Sequence, residues 1–316
     1  MLLRIAVLDD YQHAALASAD WDSLGAEVTA FSAHIPDTAD LAAELRPFDV
    51  VVAMRERTPF TAERFRLLPR LRLLVTTGMA NASIDMTAAR AAGVTVCGTR
   101  GSSGATVELT WALILSLVRH VPAEDASVRR GGWQHTIGTG LRGRTLGVVG
   151  LGNLGRKVAA VGLAFGMEVL AWSQHLTPAA ALDAGATAVS KADLFSDSDV
   201  ITVHYKLSER SAGLVGAADL ARMKPWAYLV NTSRGPIVDT DALLEALRSG
   251  SIAGAALDVY DEEPLPAAHP LRSAPHTVLT PHLGYVTDDG YRIFYGDAVQ
   301  DIAAFEAGSP VRVLNG

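Results

Sequence analysis

Short apolar runs, each followed by a helical stretch, recur along the 316-residue chain. Residues 4–8, 26–31, 49–53, 71–76 and 94–97 form a first series of such runs. A second series covers residues 146–149, 168–172, 200–204, 228–231, 253–258 and 277–279. Runs that are apolar throughout, rather than alternating, predict strands covered on both faces, as in parallel sheets. The chain therefore reads as α/β, with two doubly wound parallel-sheet domains. Between the series, residues 103–120 carry Val107, Trp111, Ile114, Leu115 and Val118 at helical spacing. A glycine-rich segment follows, with Gly131, Gly132, Gly138, Gly140 and Gly143, and reads as a loop or arm. After the last strand, Tyr291, Ile293, Phe294, Ala298, Ile302 and Phe305 predict a long C-terminal helix. That helix is too little for a third domain and is expected to return to the first. The expected division is 1–98 with 289–316 as one discontinuous domain and 99–288 as the other. A ligand cleft between two such domains is the natural expectation.

The run at 146–149 leads into Gly150-Leu151-Gly152-Asn153-Leu154-Gly155, and then into a helical pattern from Arg156. Strand, G-x-G-x-x-G and helix together make a dinucleotide fingerprint. Gly150 permits the tight turn, Gly152 the close approach of a pyrophosphate, and Gly155 tight packing of helix on strand. The amides of Asn153 and Leu154 open a helix, where backbone donors and the helix dipole favour an anion. The second domain is thus expected to be a Rossmann dinucleotide-binding domain inserted into a flavodoxin-like substrate domain.

Composition narrows the partners. The net charge is −7 and the sequence pI about 5.7, with no basic stripe, so nucleic acid is not expected. No apolar stretch is long enough to span a bilayer, and the N-terminus lacks a signal-peptide layout. One cysteine, Cys97, excludes an internal disulfide and fits a reducing cytoplasm.

Ligands of parallel α/β sheets sit at the carboxyl ends of the strands. Three strands of the second series end in chemistry-bearing residues: Arg234 after 228–231, the acids Asp258 and Glu263 after 253–258, and His282 after 277–279. A proton donor, a cation for a carboxylate and an acid to tune the donor are what hydride transfer to a 2-ketoacid requires. Among the nine histidines, His204 is a rival, because it too ends a predicted strand.

With those residues in view, the chain resembles the D-isomer-specific 2-hydroxyacid dehydrogenase family. The likeness rests on residues 148–155, 231–239 (NTSRGPIVD), 256–265 (ALDVYDEEPL) and 280–284 (TPHLG), with 54–58 and 77–85 in the first domain. It implies an NAD- or NADP-dependent enzyme acting on a small 2-ketoacid or D-2-hydroxyacid. His282 would be the acid/base, Glu263 the carboxylate that pairs with it and favours its protonated form, and Arg234 the substrate anchor. Asp258 would hold the nicotinamide carboxamide with Thr232 beside it, and His204 would lie against the cofactor. Gly78, Met79 and Ala80 would cradle the substrate carboxylate, and Arg55 or Arg57 would add a second cation. The family's dimer, formed through the arm and its helix, implies a homodimer through the Rossmann domain. No metal is implied.

The chain departs from the family pattern after residues 168–172. Ser173, followed by Gln174, stands where an acid would bind the adenosine ribose. Serine removes the repulsion of a 2′-phosphate, which favours NADP, with His175 and Lys206 as the nearest cations. Glutamate at 263 argues against formate as substrate, since formate dehydrogenases carry glutamine there. The alternative reading is a nucleotide-sensing interaction protein resembling the family's corepressors.

Overall fold

The computed structural model describes Leu2–Gly316. The chain divides into two compact units: residues up to Ser102 together with Tyr285–Gly316, and Ser103–Gly284. The division falls after Ser102 and after Gly284, four residues in each case from the expected boundaries at 98/99 and 288/289.

The first unit is built on β1 (Arg4–Val7), β2 (Glu27–Ala30), β3 (Val50–Ala53), β4 (Leu73–Thr76) and β5 (Thr95–Gly98). They form one parallel sheet in the order β2-β1-β3-β4-β5, the flavodoxin-like order. The reason for unbroken apolar runs is visible in β3. Val50 and Val52 enter the core on one face, with Ile5, Val7, Leu73 and Val75. Val51 and Ala53 enter the core on the other, with Ala6, Leu74 and Val96. Successive side chains point to opposite faces, so a strand covered on both sides must be apolar at every position. The C-terminal helix, Asp288–Glu306, covers the first of these faces with Tyr291, Phe294, Tyr295, Ala298 and Ile302. Beyond it the tail returns to β5, where Gly98 N donates to Arg312 O (3.0 Å) and Leu314 N to Val96 O (2.8 Å).

The second unit contains β6 (Thr145–Val149), β7 (Glu168–Trp172), β8 (Thr187–Ala188), β9 (Val200–Val203), β10 (Tyr228–Asn231), β11 (Gly254–Leu257) and β12 (Thr277–Leu279). Their order, β12-β11-β10-β9-β6-β7-β8, is the doubly wound Rossmann order with one further strand. The strand sequence reverses direction between β6 and β9. That switch point is where such folds take ligands. The helix Gly104–Val118 packs Val107, Trp111, Ile114, Leu117 and Val118 against one face of this sheet.

The structure differs from the sequence reading in two places. The two-residue strand β8 is too short to leave an apolar run. The helix predicted over 103–120 stops at Val118, and a second one, Val121–Arg129, follows through the left-handed His120 (φ 53°). That second helix buries none of its residues, so its sequence carries no apolar face to read.

Candidate active site

The glycine turn follows β6. Gly150 has φ 99°, and a Cβ there would lie 2.4 Å from the His204 carbonyl oxygen. A Cβ on Gly155 would lie 2.1 Å from the Gly150 oxygen, whereas one on Gly152 would meet nothing within 4 Å. The first and third glycines are therefore required by packing inside the protein. The second faces open space, as a pyrophosphate cradle must. Gly152 caps the helix Asn153–Ala164, so the Asn153 and Leu154 amides lie in its first turn, where helical N–H groups lack intrahelical acceptors. These features fit a dinucleotide.

The turn after β7 is tied to the glycine loop. Leu151 N donates to Ser173 Oγ (3.0 Å), and Gly150 N to Trp172 O (2.8 Å). Gln174 N donates to the Tyr205 hydroxyl (3.2 Å), whose ring stacks on Trp172. Tyr205 carried no signal in the sequence, because its contact runs between the ends of β9 and β7, which only the sheet order sets on either side of β6.

His204, the rival histidine, shares a hydrogen bond between Nε2 and Thr202 Oγ1 (2.9 Å). Its Nδ1 is sealed from solvent and lacks a hydrogen-bond partner among the described residues. Burial pushes its pKa down to about 4, so the ring is neutral near pH 7.

Arg234 stands three residues past β10, in a loop that Asn231 shapes. Asn231 Nδ2 donates to Arg234 O (2.9 Å), and Ser233 N donates to Asn231 Oδ1 (3.0 Å). Ser233 Oγ donates to Val203 O (2.7 Å), tying the loop to β9. Thr232 shares a hydroxyl contact with Thr110 (2.9 Å). Gly235 lies directly on the next strand's loop, since a Cβ there would come 2.0 Å from the Tyr260 carbonyl carbon.

That contact leads to the histidine. Tyr260 N donates to Glu263 Oε1 (2.9 Å), and Glu263 Oε2 meets His282 Nδ1 at 2.6 Å. The pair is mostly enclosed, with 14% of the His282 and 24% of the Glu263 side chain exposed. His282 has φ 55°, a left-handed backbone that a non-glycine residue holds at a cost of about 1–3 kcal/mol. Asp258 holds that loop: its Oδ1 accepts from Thr280 Oγ1 (2.6 Å) and Leu283 N (2.7 Å), and its Oδ2 from Gly284 N (2.9 Å). Asp258 is fully buried, and burial raises its carboxyl pKa against the pull of these donors. The Tyr260 hydroxyl donates to Thr280 O (3.0 Å), closing the ring of contacts. Asn231, Tyr260 and Thr280 were readable only as neighbours of the motif residues, not as the groups that set their geometry.

The remaining expected residues lie in the first unit. Arg55, after β3, has φ 50°; its N donates to Thr77 Oγ1 (2.9 Å) and its Nη1 to Thr77 O (3.3 Å). Gly78, after β4, has φ 103°, and a Cβ there would lie 2.1 Å from Arg55 Nη1. The guanidinium thus lies on the Gly78 backbone, with Met79 and Ala80 exposed beside it. Within this unit the fold brings Arg55, Gly78, Met79 and Ala80 together. Within the other it brings together His282, Glu263, Asp258 and the Arg234 loop.

Residues 111–284 match the family model described as the NAD binding domain of D-isomer specific 2-hydroxyacid dehydrogenases. The chain is 39% identical over 258 residues to a glyoxylate reductase of Aeropyrum pernix, covering 78% of this chain and 77% of that one. It is 36% identical over 278 residues to a D-3-phosphoglycerate dehydrogenase of Bacillus subtilis, covering 87% of this chain but only 53%, about half, of the relative. A solved phosphoglycerate oxidoreductase from Vibrio cholerae superimposes with a TM-score of 0.92 at 37% identity, over 98% of this chain and all (100%) of that one. The chain belongs to the D-isomer specific 2-hydroxyacid dehydrogenase family, oxidoreductases that work with a nicotinamide dinucleotide. The relatives named are dehydrogenases and reductases, so the corepressor-like alternative gains no support.

Proposed function

We propose that the protein interconverts a small 2-ketoacid and its D-2-hydroxyacid, with His282 as acid/base. The observation that carries this reading is the 2.6 Å contact between Glu263 and His282 Nδ1 at the tips of neighbouring strand loops. With Glu263 accepting from Nδ1, Nε2 becomes the nitrogen that exchanges a proton with the substrate oxygen. Glu263 stabilises the imidazolium whenever His282 holds that proton, as a buried orienting carboxylate does. Arg234 holds the substrate carboxylate by its planar fork. Arg55 and the Gly78, Met79 and Ala80 backbone are the proposed further contacts for that group. The dinucleotide, held by Gly150, Gly152, Asn153, Leu154 and Gly155 with Ser173, Gln174, His204 and Thr232, supplies or accepts the hydride. Asp258 fixes the His282 loop through Thr280, Leu283 and Gly284, and its Oδ2, which accepts from Gly284 N alone, keeps acceptor capacity for the nicotinamide carboxamide it is proposed to hold. Ser173 in place of an acid favours NADP over NAD. The deciding experiment follows oxidation of NADPH and NADH with a panel of 2-ketoacids, for wild type and His282→Gln. Turnover should collapse in the variant while dinucleotide binding persists; undiminished turnover would remove His282 from the chemistry.

A homodimer through the Rossmann unit completes the proposal. The helix Val121–Arg129 buries nothing, and Trp133 (75% exposed) and Ile137 (95%) follow it. Apolar side chains presented in this way are characteristic of a face that a second copy covers. Light scattering should give twice the chain mass. A cytoplasmic setting is proposed from the single buried thiol of Cys97. Among the described residues no helix is long and apolar enough to cross a membrane.

A further inference from the structure

Two hydroxyl groups lace together the carboxyl ends of β6, β7 and β9. Ser173 Oγ accepts from Leu151 N (3.0 Å) in the glycine loop, and the Tyr205 hydroxyl accepts from Gln174 N (3.2 Å). To reach Gln174 the Tyr205 side chain crosses the end of β6, which lies between β9 and β7 in the sheet. A Cβ on Gly150 would lie 3.1 Å from Tyr205 Cδ2, so the ring rests on the glycine turn. The ring also stacks on Trp172, with centroids 6.1 Å apart and planes at 19°. A ring held on two sides fixes its hydroxyl in one place. That place is the tip of the second strand of the nucleotide unit, about 20 residues past the glycine turn, where dinucleotide folds read the adenosine 2′-position.

Both hydroxyls have the same polarity. Each oxygen receives a backbone N–H, and such a bond polarises a hydroxyl toward giving its own hydrogen. Neither donates to a protein acceptor among the described residues. A ribose 2′-hydroxyl finds its acceptor in the acid of NAD-binding folds, whereas a phosphate brings acceptor oxygens of its own. Residues 173–177 and 204–208 contain no acid, and His175 and Lys206 among them are exposed. The side chains of these two loops therefore offer donors and cations where an NAD site offers a carboxylate.

We propose that Tyr205 is a specificity-determining residue whose hydroxyl donates to the 2′-phosphate of NADP, with Ser173 beside it. This rests on the reading that the unit binds a nicotinamide dinucleotide and prefers NADP. Tyr205→Phe keeps the ring on Trp172 and removes only the donor. The test measures Kd for NADPH and NADH by fluorescence titration, and for 2′,5′-ADP and 5′-AMP by calorimetry, in wild type and variant. Loss of a hydrogen bond to a charged group should raise the NADPH/NADH ratio of Kd values at least about tenfold in the variant, and the 2′,5′-ADP/5′-AMP ratio with it. A rise below about threefold in either pair would overturn the proposal, since a tyrosine that only packs the loop shifts both members alike. The wild-type ratio judges the underlying reading separately. If wild type binds NADH more tightly than NADPH, the NADP preference fails, while a tenfold rise on Tyr205→Phe, of the order expected above, still assigns the hydroxyl to the phosphate. Binding of neither dinucleotide to wild type overturns both.

Discussion

Glu263→Gln isolates the role of charge at the histidine. The wild-type carboxylate makes two contacts, Oε1 with Tyr260 N (2.9 Å) and Oε2 with His282 Nδ1 (2.6 Å). In the variant only the amide oxygen can accept from Tyr260 N, so the amide NH2 turns toward His282. Nδ1 must then act as acceptor, and the proton moves to Nε2 in the neutral ring. The charged imidazolium meets a second donor where it had a carboxylate. Loss of a charge-assisted hydrogen bond costs about 1.5–3 kcal/mol, and an unsatisfied enclosed donor about 1–3 kcal/mol more. Local relaxation recovers part of this sum, leaving roughly 3–4 kcal/mol against the protonated state. At 1.36 kcal/mol per decade, kcat should fall about 10²–10³-fold. The dinucleotide contacts lie elsewhere, so its Kd should stay within about twofold, since an interaction made only in the transition state leaves ground-state binding alone. Steady-state kinetics in both directions, with a fluorescence titration of the dinucleotide, measure both quantities. A kcat within about fivefold of wild type, with the fold intact, would show that neither the charge nor the tautomer matters.

Asp258→Asn turns one of the three accepted bonds into a donor–donor conflict; it should destabilise the protein by about 2–4 kcal/mol and lower kcat, and an unchanged denaturation midpoint would refute the buttressing role. Gly155→Ala drives a methyl to within 2.1 Å of the Gly150 oxygen; dinucleotide affinity should drop by at least about tenfold, and normal affinity would mean that the turn can open without loss. Asp301 is enclosed, its Oδ2 has no hydrogen-bond partner, its Oδ1 accepts from Arg312 Nε (2.9 Å), and burial pushes its pKa up from 3.8 to about 7. The folded state therefore keeps a proton that the unfolded chain has released above pH 4, so this contribution to stability is present at acid pH and is lost as pH rises toward and through 7. Urea denaturation of wild type and Asp301→Asn should give curves that diverge over this range, by about 1.4 kcal/mol per pH unit at most, with wild type losing ground toward pH 8; parallel curves would refute the assignment.

Much of the architecture was legible along the chain because parallel strands covered on both faces are apolar at every position. The Gly150 to Gly155 turn, eleven of the twelve strands described and the helix from Asp288 announced themselves through local pattern. Strand β8 and the helix Val121–Arg129 did not, the first for brevity and the second for want of a buried face. Arg234, Glu263 and His282 were readable as residue types at strand ends. Their mutual geometry was not, since it depends on β10, β11 and β12 lying side by side.

Local sequence thus determined which segments become strand, turn or helix, because backbone preference and burial pattern act over a few residues. Tertiary structure alone decided that Tyr260 orients Glu263, that His204 has its Nδ1 out of water and is neutral while His282 meets a carboxylate, and that Arg57 lies between two rings. Those properties are set by neighbours far apart in the chain. Desolvation and Coulomb interaction depend on distance in space, which no run of adjacent residues encodes.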